Sequence, residues 1–230
     1  MNKSLLLLHG ALGSSRQFET LQDLLSHSFT VHSFDFEGHG NGVISERPFR
    51  IEYFAENVMN FIREHSMEQS NIVGYSMGGY VGLYCAKHYP GYIQSVLTLG
   101  TKFYWTPDYA SREVKKLQPA IIEEKVPAFA LELQKRHCNH DWKNVLNKTS
   151  EMMQSLGDTP VLTHDDIAGI ESRLSFGIAE KDVTVSIEET ERLSRINAAG
   201  ELFVLPASFH PLEKIRTRLF ADIITDFHSR

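Results

Sequence analysis

Short apolar runs alternate with amphipathic segments along most of this chain, and this pattern limits the folds that it can adopt. The first run, Leu5–Leu8, is continuously apolar, which predicts a strand buried on both faces. Strands that alternate with helices form a parallel sheet with helices on both sides, so we expect a three-layer, doubly wound α/β fold with a mostly parallel sheet of about six strands. The other predicted strands are Val31–Phe36, Asn71–Tyr75, Ser95–Leu99, Leu174–Ile178 and Glu201–Leu205.

Helical segments separate these strands. Ser14 and Gln17 resemble a capping box that opens the first helix. Apolar residues at helical spacing predict a second helix from Ile51 to Ile62. Further helices are predicted from Met77 to about Lys87, at Ser186–Ile196 and at Leu212–Phe227.

Residues 107–169 differ in character from the rest of the chain. Prolines interrupt this segment, and its clearest helical pattern runs from Trp142 to Leu156, where Gly157 is expected to end the helix. We therefore predict a helical insertion, with residues 1–106 and 170–230 forming the core of the fold. The insertion precedes the strand that begins near Leu174.

Composition and charge exclude several classes of partner. The chain has 230 residues, of which 42% are hydrophobic and 23% are charged, as in ordinary globular proteins. A net charge of -6 argues against nucleic-acid binding, and no apolar run reaches membrane-spanning length. The N-terminal leucines are too few for a signal peptide, and Cys85 and Cys138 suggest free thiols. We expect a cytoplasmic protein that acts on a small molecule.

The strongest chemical motif is Gly74-Tyr75-Ser76-Met77-Gly78, between a predicted strand and a predicted helix. A serine at such a turn takes a strained backbone conformation, which is tolerable only where its neighbours lack bulk. The helix that follows points its N-terminus at Ser76, which favours negative charge there. The motif therefore predicts a nucleophilic serine, although an ordinary glycine-rich turn is the alternative.

A serine hydroxyl is a poor nucleophile without a base, and His210 is the best candidate for that base. It lies in a loop directly after the last predicted strand, at the edge where parallel sheets present functional side chains. Asp182, in the turn after the preceding strand, is the predicted acid that orients His210. Glu180 is its competitor, and a solvated turn is the alternative for both acids.

Acyl transfer also requires hydrogen-bond donors for the oxyanion of the tetrahedral intermediate. The backbone N–H of Met77, at the start of the helix, is one candidate. The loop after the first strand can bring a second, and Ala11 is the best choice. His9 in the same loop is predicted to be structural.

Taken together, these segments resemble the cap-bearing members of the α/β-hydrolase superfamily. The resemblance rests on residues 9–15, 35–40 and 74–79 together with Asp182 and His210. It implies a helical cap at 107–169 over the active site. Phe103 and Trp105 would then lie where the sheet meets the cap, where they either bind substrate or only pack the cap against the sheet.

The predicted function is that of a serine esterase without a cofactor. Ser76 would attack an ester or a similar carbonyl of a partly apolar substrate to form an acyl-enzyme, with His210 as base. The alternatives are a slow or inactive ligand-binding receptor, or a lyase, carbon–carbon hydrolase, acyltransferase or haloperoxidase on the same scaffold. No metal site is expected, because adjacent residues in His137-Cys138-Asn139-His140 cannot all face one ion.

Overall fold

The computed structural model describes residues 3–230, and these residues contain a six-stranded sheet in which all neighbouring strands run parallel. The strand order is β2-β1-β3-β4-β5-β6. The fold class predicted from the alternating pattern is therefore confirmed. The strands are β1 Lys3–Leu8, β2 Phe29–Ser33, β3 Ser70–Tyr75, β4 Ile93–Leu99, β5 Arg173–Ala179 and β6 Glu201–Leu205.

Helices connect successive strands and follow the last one. Between β1 and β4 they are α1 Glu19–Leu25, α2 Ile51–Glu64 and α3 Met77–His88. The segment between β4 and β5 contains α4 Pro107–Lys116, α5 Pro119–Lys125, α6 Pro127–Arg136, α7 Trp142–Asp158 and α8 His164–Ala168. The last two helices are α9 Ile187–Ile196 and α10 Thr217–Ser229.

Side chains on the strands alternate between two apolar cores, one on each face of the sheet. On β1, Leu6 and Leu8 face the core formed with α2, α3 and α9, whereas Leu5 and Leu7 face the core formed with α1 and α10. All four leucines are fully buried. Burying one such side chain contributes about 1.5–3 kcal/mol, which explains why this strand is apolar at every position.

The segment 107–169 is helical, and several of its helices begin at a proline. Pro107, Pro119 and Pro127 each take the first helical position, where a missing backbone N–H costs no hydrogen bond. Nothing between residues 3 and 230 forms a helix long and apolar enough to cross a membrane.

Three of the boundaries that differ from the sequence prediction can be traced to particular contacts. Strand β2 ends at Ser33 and not at Phe36, because the Phe36 N–H donates to His9 Nε2 (3.1 Å). The final predicted helix is split before α10 because the Arg216 N–H donates to Ser208 Oγ (3.0 Å). The third difference concerns Gly157, which lies inside α7.

Gly157 was expected to terminate its helix, but it allows α7 to pack closely on α4. A Cβ added at Gly157 would lie 2.7 Å from Ala110 Cβ and 3.0 Å from the Thr106 carbonyl oxygen. Helix α7 continues through it to Asp158. The glycine is therefore needed for close helix packing and not for a C-terminal turn.

Candidate active site

Ser76 lies in a sharp turn between β3 and α3. Its φ and ψ angles are 51° and −116°, a conformation that costs free energy in a residue with a side chain. The flanking glycines make this turn sterically possible. An added Cβ at Gly78 would lie 2.2 Å from the Leu8 carbonyl oxygen, and one at Gly74 would lie 2.4 Å from Gly79 Cα.

Hydrogen bonds to β4 and the residues after it hold the strained serine in place. The Ser76 N–H donates to the Leu99 carbonyl (2.9 Å), and the Thr101 hydroxyl donates to the Ser76 carbonyl (2.9 Å). Thr101 is buried. Its role could not be predicted from the sequence, because a threonine two residues after a strand carries no recognisable motif.

Asp182 and His210 meet in the loops that follow β5 and β6. His210 Nδ1 donates to Asp182 Oδ2 over 2.7 Å. The other oxygen, Oδ1, accepts the N–H groups of Thr184 (2.8 Å) and Val185 (2.9 Å), and the aspartate side chain is 1% exposed. These contacts fix the carboxylate and leave Nε2 as the outward nitrogen of the imidazole.

Glu180, the competing acid, makes no hydrogen bond to His210 within residues 3–230. Its Oε2 accepts the Ala207 N–H (2.7 Å), and the residue is exposed. The geometry therefore favours Asp182 over Glu180 as the partner of His210. The catalytic role of Asp182 stays a prediction.

Gly100 lies between the serine turn and the acid–histidine pair. It directly follows Leu99, and a Cβ added to it would lie 3.2 Å from both Asp182 Oδ2 and His210 Nδ1. The structure thus brings the three predicted catalytic residues to one edge of the sheet. Within residues 3–230, Ser76 Oγ makes no hydrogen bond to His210. Such bonds commonly tighten only when substrate is bound.

The two predicted oxyanion donors flank Ser76. A Cβ added to Gly10 would lie 3.2 Å from Ser76 Cβ, so the loop that contains Ala11 touches the serine turn. In the described part of the chain, the backbone N–H groups of Ala11 and Met77 have no acceptor. Both are therefore available to a ligand, as an oxyanion hole requires.

Two buried histidines support the loop of Ala11. His9 Nδ1 donates to the Gly10 carbonyl (2.8 Å) while its Nε2 accepts the Phe36 N–H, and burial lowers its pKa to about 4. His137, at the end of α6, donates from Nε2 to the Leu12 carbonyl (3.1 Å). Its Nδ1 accepts the Gly40 N–H (2.9 Å), and burial lowers its pKa to about 4. Both rings are held as neutral imidazoles on backbone groups.

A cavity adjoins Ser76, and residues of the 107–169 segment form part of its wall. Ala11, Met77 and Trp105 line it together with Ser76. Phe103 is not among its lining residues. The Phe103 side chain is buried and its ring packs against Tyr80 at 5.8 Å between centroids, as the packing alternative implied. The remaining wall is mostly apolar and includes Ile51, Met152, Met153 and Leu156.

One charged pair stands out in this wall. Lys102 lines the cavity and forms an ion pair with Glu189 of α9. The other Glu189 oxygen accepts the N–H groups of Phe103 (2.9 Å) and Tyr104 (3.0 Å). The two partners are 87 residues apart in sequence, so no local pattern could have predicted this pair.

Comparison with known proteins identifies related sequences. A family model described as alpha/beta hydrolase fold matches residues 3–188. Ethanol acetyltransferase 1 of Cyberlindnera jadinii is 24% identical over 155 residues, or 65% of this chain and 42% of that protein. Serine hydrolase BPHL of Mus musculus is 30% identical over 110 residues, or 46% of this chain and 38% of that protein. The chain thus spans less than half the length of these relatives.

Solved structures share the whole architecture. The enol-lactonase from Burkholderia xenovorans LB400 has a TM-score of 0.79 at 15% identity, over 100% of this chain and 92% of that chain. E-2-(acetamidomethylene)succinate hydrolase has a TM-score of 0.80 at 18% identity, with the same coverage. At this identity the similarity is one of fold.

Proposed function

We propose, since this chain belongs to the α/β-hydrolase fold family, that it is a serine hydrolase acting on an ester or a related carbonyl compound. The observation that carries the proposal is the contact of His210 with the buried Asp182 carboxylate, at the same sheet edge as the strained Ser76. An ordinary surface histidine does not require a buried carboxylate partner, and an ordinary glycine-rich turn does not require a strained serine.

The proposed reaction has two steps. Ser76 Oγ bonds to the substrate carbonyl carbon as His210 Nε2 takes the hydroxyl proton, and the Ala11 and Met77 N–H groups stabilise the oxyanion. The ester C–O bond then breaks, and the leaving alcohol takes the proton from His210. In the second step water loses a proton to His210 and adds to the acyl carbon, after which the bond to Ser76 breaks and Oγ regains its proton.

Covalent labelling with a fluorophosphonate tests the nucleophile. We expect the parent protein to gain one adduct, located at Ser76 by peptide mass spectrometry, because only an activated serine attacks phosphorus readily. Ser76→Ala should not be labelled, whereas Ser45→Ala, in the loop before α2, should be labelled at the parental rate. Labelling that persists in Ser76→Ala would refute the assignment.

Acyl transfer to an alcohol is the second candidate. The apolar wall of Ile51, Met152, Met153 and Leu156 favours an alcohol over water at the acyl-enzyme, and ethanol acetyltransferases are among the relatives. With an aryl ester and ethanol present, a transferase should release ethyl ester faster than free acid. Free acid as the main product at modest ethanol concentration would leave hydrolysis as the function.

A further inference from the structure

Lys102 is the only basic residue among those that line the cavity beside Ser76, all of which lie within residues 3–230. It follows β4 at the same sheet edge as the serine turn. Its side chain is 14% exposed, so the ammonium group is largely withdrawn from bulk water. A cation in such a position requires fixed partners, and the structure provides two of them.

These partners hold the ammonium group in place. Glu189 forms the ion pair, and the Tyr109 ring lies beneath Lys102 Nζ at 4.2 Å from the ring centroid. Tyr109 is itself held by a hydrogen bond from its hydroxyl to the Thr184 carbonyl (3.0 Å). The ammonium is thus pre-organised at the cavity wall, which lowers the cost of binding a ligand to it.

The ammonium also retains donor capacity. A lysine has three N–H donors, and in the described chain Lys102 makes a single hydrogen bond, to Glu189. A ligand in the cavity can therefore supply a further acceptor. Ile51, Met152, Met153 and Leu156 give the same wall an apolar part, and Lys102 is the one cationic donor among the described lining residues.

The charges around Lys102 determine which acceptor fits. Glu189 already balances the positive charge of Lys102, and Glu113 contributes a second carboxylate to the same wall. Glu113 is in turn paired with Lys116 on the outer side of α4. The wall as a whole therefore carries no excess positive charge, and a ligand carboxylate would meet two carboxylates close by. An uncharged oxygen meets no such repulsion.

We propose that Lys102 selects substrates whose acyl group carries an uncharged oxygen (an ether, hydroxyl or ketone) beyond the reacting carbonyl, and that Glu189 and Glu113 beside it disfavour acyl groups with a carboxylate. This inference rests on the proposed hydrolase function. The acyl group is assigned to the cavity because it stays bound to Ser76 between the two steps and must be sheltered there.

Matched aryl esters test the preference. Pentanoate and 3-methoxypropanoate esters have acyl chains of equal length and differ by one CH₂ replaced by oxygen, while the succinate monoester adds a carboxylate. For the parent protein we expect kcat/KM for 3-methoxypropanoate to be about tenfold that for pentanoate, as for one hydrogen bond to a charged donor. The succinate monoester should be the poorest of the three.

Variants then connect the preference to Lys102. Lys102→Met should remove the advantage of 3-methoxypropanoate over pentanoate, and Lys102→Arg should keep most of it. Lys115→Met, which changes an exposed lysine outside the cavity, should behave as the parent protein. If Lys102→Met is unstable because Glu189 is left unpaired, the double change Lys102→Met with Glu189→Gln restores charge balance and should also lack the preference.

The inference and the proposed function fail in different ways. Equal kcat/KM for pentanoate and 3-methoxypropanoate in the parent protein, or a preference that persists in Lys102→Met, would refute the role of Lys102 while leaving the hydrolase intact. Absence of ester turnover would refute the hydrolase. In that case calorimetry measures the binding of methyl 3-methoxypropanoate and of methyl pentanoate to Ser76→Ala. The inference requires that methyl 3-methoxypropanoate binds more tightly than methyl pentanoate, and that this difference is lost when Lys102→Met is added.

Discussion

Replacement of Tyr75 by phenylalanine tests whether the serine turn positions the histidine loop. The Tyr75 hydroxyl donates to the His210 carbonyl over 2.9 Å, and the two rings lie 5.5 Å apart between centroids. Tyr75 precedes the nucleophile, so this bond connects the element that bears Ser76 with the loop that bears the base. Burial raises the pKa of Tyr75, which keeps the phenol protonated and able to donate at neutral pH.

The magnitude follows from the loss of one hydrogen bond to a partly buried carbonyl. Tyr75→Phe should lower the free energy of unfolding by about 1–2 kcal/mol, including the cost of leaving the His210 carbonyl unpaired. For a chain of this length, that corresponds to a fall in Tm of roughly 2–8 °C. If the loop then holds the imidazole less accurately, kcat should fall about tenfold with little change in KM.

Steady-state kinetics on an aryl ester and calorimetric unfolding measure the two effects. Tyr104→Phe is a matched control, because the buried Tyr104 hydroxyl has no hydrogen-bond partner among residues 3–230. It should leave kcat unchanged and should not lower Tm. A fall in Tm for Tyr75→Phe with unchanged kcat would show that the bond only stabilises the fold, and the positioning argument would be wrong.

Two other predictions concern the acid and the buried histidines. Asp182→Asn should lower kcat by up to about 10⁴-fold, while Glu180→Gln should stay near the parental rate. The reverse ranking in ester assays would show that Glu180, and not Asp182, is the acid. Burial lowers the pKa of His9 and His137 to about 4 from an ordinary value near 6.5, so the unfolded chain binds more protons between these values. Stability should therefore be fully present above about pH 6.5 and decline as the pH falls toward 4. Calorimetry across this range measures the decline, and a constant Tm from pH 7 to 4.5 would contradict it.

The sequence predicted the sheet well because its signals are local. Leu5–Leu8 is apolar at every position, and a strand in the middle of a parallel sheet with helices on both faces requires that. Gly74 and Gly78 could be interpreted correctly for a similar reason, since the need for small residues beside a strained serine is a property of the turn itself.

Features that depend on distant contacts were not predictable. The end of β2 is set by His9, whose ring accepts a hydrogen bond from the Phe36 N–H. His9 lies in a loop 27 residues earlier in the chain. Gly157 matched a helix terminus in sequence, but its real neighbour is Ala110 on another helix. Thr101 has no motif of its own and becomes important only because the Ser76 carbonyl lies within hydrogen-bond reach.

Backbone hydrogen bonds between neighbouring strands hold the edge of the sheet at which the three predicted catalytic residues lie. Beyond the strand ends, the Ser76 N–H donates to Leu99 (2.9 Å), the Gly100 N–H to Gly177 (2.9 Å) and the Glu180 N–H to Leu205 (3.0 Å), in each case to the backbone carbonyl. These bonds join β3 to β4, β4 to β5 and β5 to β6 across the same edge of the sheet.

None of these three bonds uses a catalytic side chain. Substitutions such as Ser76→Ala and Asp182→Asn should therefore leave the sheet edge in place, and their effects on rate can be attributed to chemistry. The loop of His210 is held differently, because the Lys181 N–H donates to the Ser208 carbonyl (2.9 Å) and the Tyr75 hydroxyl donates to the His210 carbonyl. The His210 carbonyl thus accepts from the residue that directly precedes the nucleophile, which is why Tyr75 is the position where a small change should separate geometry from chemistry.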